Sequence, residues 1–122
     1  MILVVDDSVT VRKVTSRILK RQGYEVATAK EGVEALKHLQ EEVPELMVLD
    51  IGMPRMDGFE VAVRKRAIES LKHLPIIMIT SRIGDKDRQR VMEIGVYQYM
   101  SKSYQEEQLL EAIDGLLVVQ DS

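Results

Sequence analysis

Five short apolar runs alternate with helical patterns along this chain, and that alternation limits the possible folds more than any other feature. The runs are Met1 to Val5, Glu25 to Ala29, Leu46 to Leu49, Pro75 to Thr80 and Tyr97 to Ser101. Short, partly β-branched runs of this kind suit strands buried on both faces. Between them, helices are predicted over Val9 to Gln22, Val33 to Glu42, Phe59 to about Ile68, Lys86 to Ile94 and Glu106 to Leu117. The expected inner faces are Val11, Val14 and Ile18 on the first, Ala35, Leu36 and Leu39 on the second, and Leu109, Leu110, Ile113 and Leu117 on the last. Gly23 and Gly95 stand where a helix C-terminus favours glycine. A βα alternation of this length predicts an α/β fold, a parallel sheet with helices on both faces. With 122 residues, 45% of them apolar, and no linker, repeat or low-complexity stretch, the expectation is one domain over residues 1–122.

Charged residues sit where the apolar runs stop. Asp6 and Asp7 follow the first run, Asp50 the third and Lys102 the fifth. Ligands of open α/β sheets gather at the carboxyl ends of strands, so these groups are expected in one crevice. Two unit charges ~4 Å apart interact by roughly 4 kcal/mol at an effective dielectric near 20, so three converging carboxylates call for a cation among them. Mg²⁺ meets that need where one or two carboxylates share it with waters and a phosphate. Lys102 would add a point charge able to pair with a phosphoryl oxygen, and Thr80 a hydroxyl.

Charge and composition exclude several roles. A formal net charge of −3 gives no electrostatic reason to expect nucleic acid or an anionic membrane as a direct partner. The absence of cysteine excludes disulfides, thiol catalysis and thiolate metal sites, and is compatible with the expected cytoplasmic location. No apolar stretch approaches the roughly 20 residues of a membrane span, and no signal-peptide pattern opens the chain. The first strand begins almost at Met1, which points to a domain excised from a longer protein.

Four motifs now stand together: Val4-Val5-Asp6-Asp7-Ser8, the stretch from Leu49 and Asp50 through Gly52, Pro54 and Gly58, Ile79-Thr80-Ser81, and Tyr99-Met100-Ser101-Lys102. In order and over nearly the whole chain, they resemble the motifs of CheY-like receiver domains of two-component signalling. The resemblance implies a flavodoxin-like, doubly wound five-stranded parallel sheet of order 2-1-3-4-5 with five helices. It implies that Asp50 is the phosphoacceptor, with Mg²⁺ held by Asp7 directly, by Asp6 through water, by Asp50 and by the backbone carbonyl of Gly52. Lys102 would pair with the phosphoryl group and Thr80 hydrogen-bond to it. Tyr99 matches the family's switch aromatic, which implies output to a partner protein on the face made by the fourth helix, fifth strand and fifth helix. The phosphodonor would be a histidine kinase or a phosphotransfer domain, and the domain would support its own phosphorylation and dephosphorylation without being an independent metabolic enzyme.

Two positions depart from the usual pattern of that family. Ser103 follows Lys102 where receivers typically carry proline and a cis bond; a cis bond to a non-proline residue costs about 3 kcal/mol, so a trans bond with an altered loop is expected. Gly52 stands where a polar side chain is common, and Arg82, two residues after Thr80, is the candidate to cover the phosphoryl group and tune its lifetime. Val5 to Arg17 and Ala29 to Leu36 look most like receivers at the C-terminus of chemotaxis-type hybrid histidine kinases, which implies control of pilus-driven or gliding movement. A free-standing response regulator or a phosphate sink is the alternative within this class. From another class, an aspartate-nucleophile phosphohydrolase wants a second acid where Gly52 stands, and a flavodoxin-type FMN module wants a phosphate-cradling loop where Asp6-Asp7-Ser8 presents acid.

Taken singly, each site residue also has an ordinary structural role. Asp7 or Ser8 would cap the first helix, Asp50 would enter a loop, Thr80 and Tyr99 would pack in strands, and Lys102 would be solvated. His38 and His73 lack partners at ligand spacing and are expected at the surface. Arg12, Lys13, Arg17, Lys20 and Arg21 read as a solvated face of the first helix or a docking surface. Met47, Met78 and Met100 are expected in the core, with Met53 and Met56 in the loop after Asp50.

Overall fold

The computed structural model describes residues 1–53, 55–80, 98–101 and 106–121. The chain runs through β1 (Ile2–Val5), α1 (Val9–Arg21), β2 (Val26–Ala29), α2 (Gly32–Glu41), β3 (Leu46–Asp50), α3 (Gly58–Arg66), a 3₁₀ turn (Glu69–Leu71), β4 (Ile76–Thr80), β5 (Gln98–Ser101) and a C-terminal helix (Glu106–Asp121). All strand pairs are parallel, and the sheet order is β2-β1-β3-β4-β5. The helix expected over Lys86 to Ile94, with Gly95, lies outside the described residues.

Strand alternation divides the core into two layers. Leu3, Val5, Met47, Leu49, Ile76 and Met78 face α2 and α3, where they meet Ala35, Leu39, Phe59 and Val61. Their neighbours Ile2, Val4, Leu46, Val48, Ile77 and Ile79 face the opposite layer and pack with Leu19, Leu109 and Ile113. Each fully buried aliphatic side chain contributes roughly 1.5–3 kcal/mol relative to exposure, so the central strands β1, β3 and β4 supply much of the fold's stability. Met47 and Met78 lie in this core as expected. Met53, read as a loop residue, is 6% exposed and belongs to it as well.

The inner face of α1 differs from the predicted one. Thr15, Ile18 and Leu19 are its buried residues, while Val14 is 47% exposed. Rotation of the helix by about one position puts a threonine, close in shape to valine, into the place read for valine. At the other end, Gln22 caps α1 and Gly23 follows with φ of 91°. Gly23 N donates to Lys20 O at 3.0 Å and Tyr24 N to Leu19 O at 3.2 Å, the paired closure for which a left-handed glycine is suited. Tyr24 Oη then donates to Asp114 Oδ1 at 2.7 Å, fastening this turn to the C-terminal helix.

Candidate functional site

The sheet changes direction at β1: the chain proceeds outward to β2 and then returns to the other side of β1 as β3. The chain leaves β1 for α1 on one face of the sheet and β3 for α3 on the other, and these diverging connections leave a crevice at the carboxyl ends of the two strands. Val5 is the Cα partner of Leu49, so the residues that follow, Asp6 and Asp50, emerge side by side. Asp6 N is held by Ala29 O at 3.1 Å and Ile51 N by Ile79 O at 3.0 Å, which fixes both strand ends against their outer neighbours.

Asp6, Asp7 and Asp50 each direct a carboxylate oxygen into one cluster whose atoms lie within 4.8 Å of one another. Asp6 and Asp50 are 4% and 2% exposed, whereas Asp7 is open to solvent. Backbone groups orient the buried pair: Ser8 N donates to Asp6 Oδ1 at 2.8 Å and Gly52 N to Asp50 Oδ1 at 3.3 Å. Arg12 Nη1 donates to the backbone carbonyl of Asp6 from the first turns of α1. The cap of α1 is Ser8, whose Oγ accepts from Val11 N at 3.3 Å.

The donor set suits a hard divalent cation. It offers only oxygen, and the oxygens around Mg²⁺ at about 2.1 Å stand at most roughly 4.2 Å apart, close to the span seen here. Such an ion would offset the mutual repulsion of the three carboxylates, two of which are almost withdrawn from water.

The loop leaving Asp50 returns to it. Gly52 and Arg55 are exposed, and Arg55 has a φ of 68° in the left-handed region that side chains occupy at some cost. Asp57 then caps α3, its Oδ1 accepting from Glu60 N at 2.9 Å. Gly58 N donates to Ile51 O at 2.9 Å, so the first residue of α3 presses against the end of β3. This contact had only a weak sequence signal, the turn implied by Pro54 and Gly58.

Other expected site residues are placed by backbone alone or lie beyond the description. Thr80 ends β4 directly after Ile79, the Cα partner of Asp50, and is itself partnered by Ser101. Tyr99 lies in β5 opposite Met78. Lys102, Ser103 and Arg82 lie outside the described residues. His73 is exposed as expected, but His38 is only partly so, with Nδ1 buried and without a hydrogen-bond partner among the described residues.

A family model, response regulator receiver domain, matches residues 2–114. The chain belongs to the response regulator receiver domain family. The receiver is 35% identical over 112 residues to the protein PilG of Pseudomonas aeruginosa, covering 92% of this chain and 83% of that one. It is 36% identical over 115 residues to the sensor histidine kinase CheAY of Helicobacter pylori, covering 93% of this chain but 14% of the relative. It spans about half the length of several other curated relatives. The structure of the chemotaxis protein CheY4 of Vibrio cholerae superposes with a TM-score of 0.90 at 34% identity, covering 95% of this chain and 97% of that one. These likenesses establish a receiver of two-component signalling with a flavodoxin-like CheY fold and chemotaxis-type relatives. Receivers take phosphate from histidine kinases and pass signals to output partners, acting as signalling modules rather than metabolic enzymes. Among the described residues, no helix is long and apolar enough to cross a membrane.

Proposed function

We propose that residues 1–122 form one receiver domain in which Asp50 accepts a phosphoryl group from a phosphohistidine. The P–N bond to the histidine breaks as a P–O bond to the Asp50 carboxylate forms, and the electron pair leaves with the imidazole. The observation that supports this reading is the convergence of Asp6, Asp7 and Asp50 within 4.8 Å at the switch point of the sheet. Asp7, Asp50 and the carbonyl of Gly52 would hold Mg²⁺, with Asp6 as an outer ligand through water. When bound, the ion orients the phosphodonor and neutralises charge on the transferring group. Lys102 pairs with the phosphoryl oxygens and Thr80 hydrogen-bonds to them. Tyr99 reports the change to a partner on the face of the fourth helix, fifth strand and fifth helix of a five-helix fold, while Arg82 and the bare Gly52 set the phosphate lifetime.

The cellular setting of this reading is a cytoplasmic, chemotaxis-type hybrid histidine kinase that controls movement, supported by the likeness to CheAY. The likeness to PilG supports a free-standing regulator or phosphate sink as the second reading. A phosphohydrolase is disfavoured because Gly52 supplies no acid two residues after Asp50.

Intact mass after incubation with Mg²⁺ and a small phosphodonor tests the assignment. One added phosphoryl group is expected, absent from Asp50→Asn and absent without metal. Equal labelling of Asp50→Asn would remove Asp50 from the role.

A further inference from the structure

Arg12 differs from the other basic residues of α1 in turning its side chain back to the end of the sheet. Its backbone N–H closes the first helical turn on Ser8 O at 3.0 Å, and its Nη1 donates to the backbone carbonyl of Asp6. Side chains lean towards the N-terminus of a helix, which gives a residue this early in α1 the reach it needs. Arg12 is half-buried there, whereas its neighbour Lys13 is exposed.

A cation so near the start of a helix is set against the positive end of the helix dipole, where acidic residues are favoured, and the first turn of α1 holds none. The contact with the carbonyl offsets that cost, since a hydrogen bond from an ionised donor is roughly twice as strong as a neutral one. Asp6 is thereby held at three groups: its N by Ala29 O at 3.1 Å, its Oδ1 by Ser8 N at 2.8 Å and its O by Arg12. The carbonyl belongs to the planar peptide joining Asp6 to Asp7, so clamping it fixes the direction in which Asp7 departs. β1 ends at Val5 and Asp7 is exposed, so strand pairing does not hold it.

We propose that Arg12 is a positioning residue for the cation site: by clamping the peptide between Asp6 and Asp7, it holds their two carboxylates in the convergent arrangement that Mg²⁺ requires. The inference rests on the reading of the carboxylate cluster as a Mg²⁺ site and adds a residue that acts on that site through Asp6. Two effects of the guanidinium oppose each other. Its charge repels a divalent ion, so removing the charge would by itself tighten binding. Its clamp acts in the other direction, because Mg²⁺ demands near-ideal octahedral geometry and tolerates displaced ligands poorly. The charge sits on a half-buried side chain screened by water and salt, whereas nothing compensates a misplaced ligand, so the clamp prevails.

The test is an NMR titration of the isotope-labelled full chain with Mg²⁺, together with the carbonyl carbon resonance of Asp6 in the metal-free protein. Arg12→Met should weaken Mg²⁺ binding roughly five- to tenfold and move the Asp6 carbonyl resonance upfield as the charged donor is lost. Arg12→Lys, whose ammonium can still donate to the carbonyl, should stay within about threefold of the parent. Lys13→Met, the same loss of charge one residue along, should stay within about twofold and leave the carbonyl resonance in place. Arg12→Gln, too short to keep the contact, should behave as Arg12→Met does and takes its place if circular dichroism shows that variant unfolded. With a parent that binds Mg²⁺, unchanged or tighter binding by the neutral Arg12 variants would overturn the proposal, as would equal weakening by Lys13→Met or by Arg12→Lys. A parent that binds no Mg²⁺ would overturn the reading of the cluster itself and this inference with it.

Discussion

Gly58 touches the backbone of Asp50 so closely that a Cβ built on it would lie 2.5 Å from the Asp50 carbonyl oxygen and 2.9 Å from the Cα of Ile51. The start of α3 thereby acts as a stop for the end of β3, and the stop works because the residue there has no side chain. Backbone, unlike the tip of a flexible side chain, cannot rotate away from an added methyl group.

Gly58→Ala should therefore move the β3 terminus or the first turn of α3. Overpacking of this kind costs about 1–3 kcal/mol. Urea denaturation should show that loss, and Mg²⁺ affinity should fall with it, because Asp50 is carried on the displaced backbone. A variant with full stability and unchanged Mg²⁺ affinity would show that α3 does not position Asp50.

Gly52, on the same loop, behaves oppositely. A Cβ there meets nothing within 4 Å, and the residue is exposed. Gly52→Asn should leave stability within about 0.5 kcal/mol, as for surface changes away from special features. If the position tunes phosphate loss from Asp50, the half-life of the phosphorylated form should change several-fold with no change in unfolding midpoint. An unchanged half-life would take that role from position 52.

Asp7 carries the most exposed carboxylate of the cluster and so offers the cleanest test of the metal site. Asp7→Asn removes one of three converging negative charges, and the metal-free protein should gain up to about 1 kcal/mol in thermal or chemical unfolding, the scale of a solvent-screened charge pair. The parent should be stabilised by added Mg²⁺ in proportion to the logarithm of its concentration above Kd, and the variant should lose most of that gain. Identical Mg²⁺ responses in the two proteins would exclude Asp7 as a ligand.

The strands and the acid cluster were readable from the chain because both obey local rules. Leu46 to Leu49 reads as a buried strand from its unbroken apolar character, and the structure extends it by one residue to Asp50. What local pattern misses is chemistry that depends on a second element. Thr15 is 1% exposed and Val14 is 47% exposed, a reversal that hydropathy alone does not signal because the orientation of α1 is set by what it packs on. Gly58 reads as a turn glycine, since only the folded chain brings the backbone of Asp50 against it. Lys65 is 7% exposed and sits i+4 from buried Val61 on the inner side of α3, where periodicity would place an apolar residue.

Lys65 and Tyr24 give stability opposite slopes in alkali. Burial, with the neighbouring Arg66 charge, lowers the Lys65 pKa below its usual 10.5. Between the lowered value and 10.5 the unfolded chain binds more protons than the folded one, so this group makes stability rise with pH in that window. Burial first, then the hydrogen bond and charge of Asp114, raise Tyr24 from 10.0 to about 12. Above 10 the folded chain holds the extra proton, so the Tyr24 contribution is present at lower pH and is lost as pH climbs through about 12. Lys65→Met should flatten the rise and, because the ammonium reaches only Lys72 O, at 3.2 Å, among the described residues, should raise stability at neutral pH by about 1 kcal/mol. Tyr24→Phe should instead cost about 0.5–1 kcal/mol at neutral pH through loss of an exposed hydrogen bond, and remove the loss above pH 10. Urea midpoints of the parent and both variants from pH 7 to 11 read out the two slopes. A parent whose alkaline profile is unaffected by either substitution would show that neither group is perturbed in the folded protein.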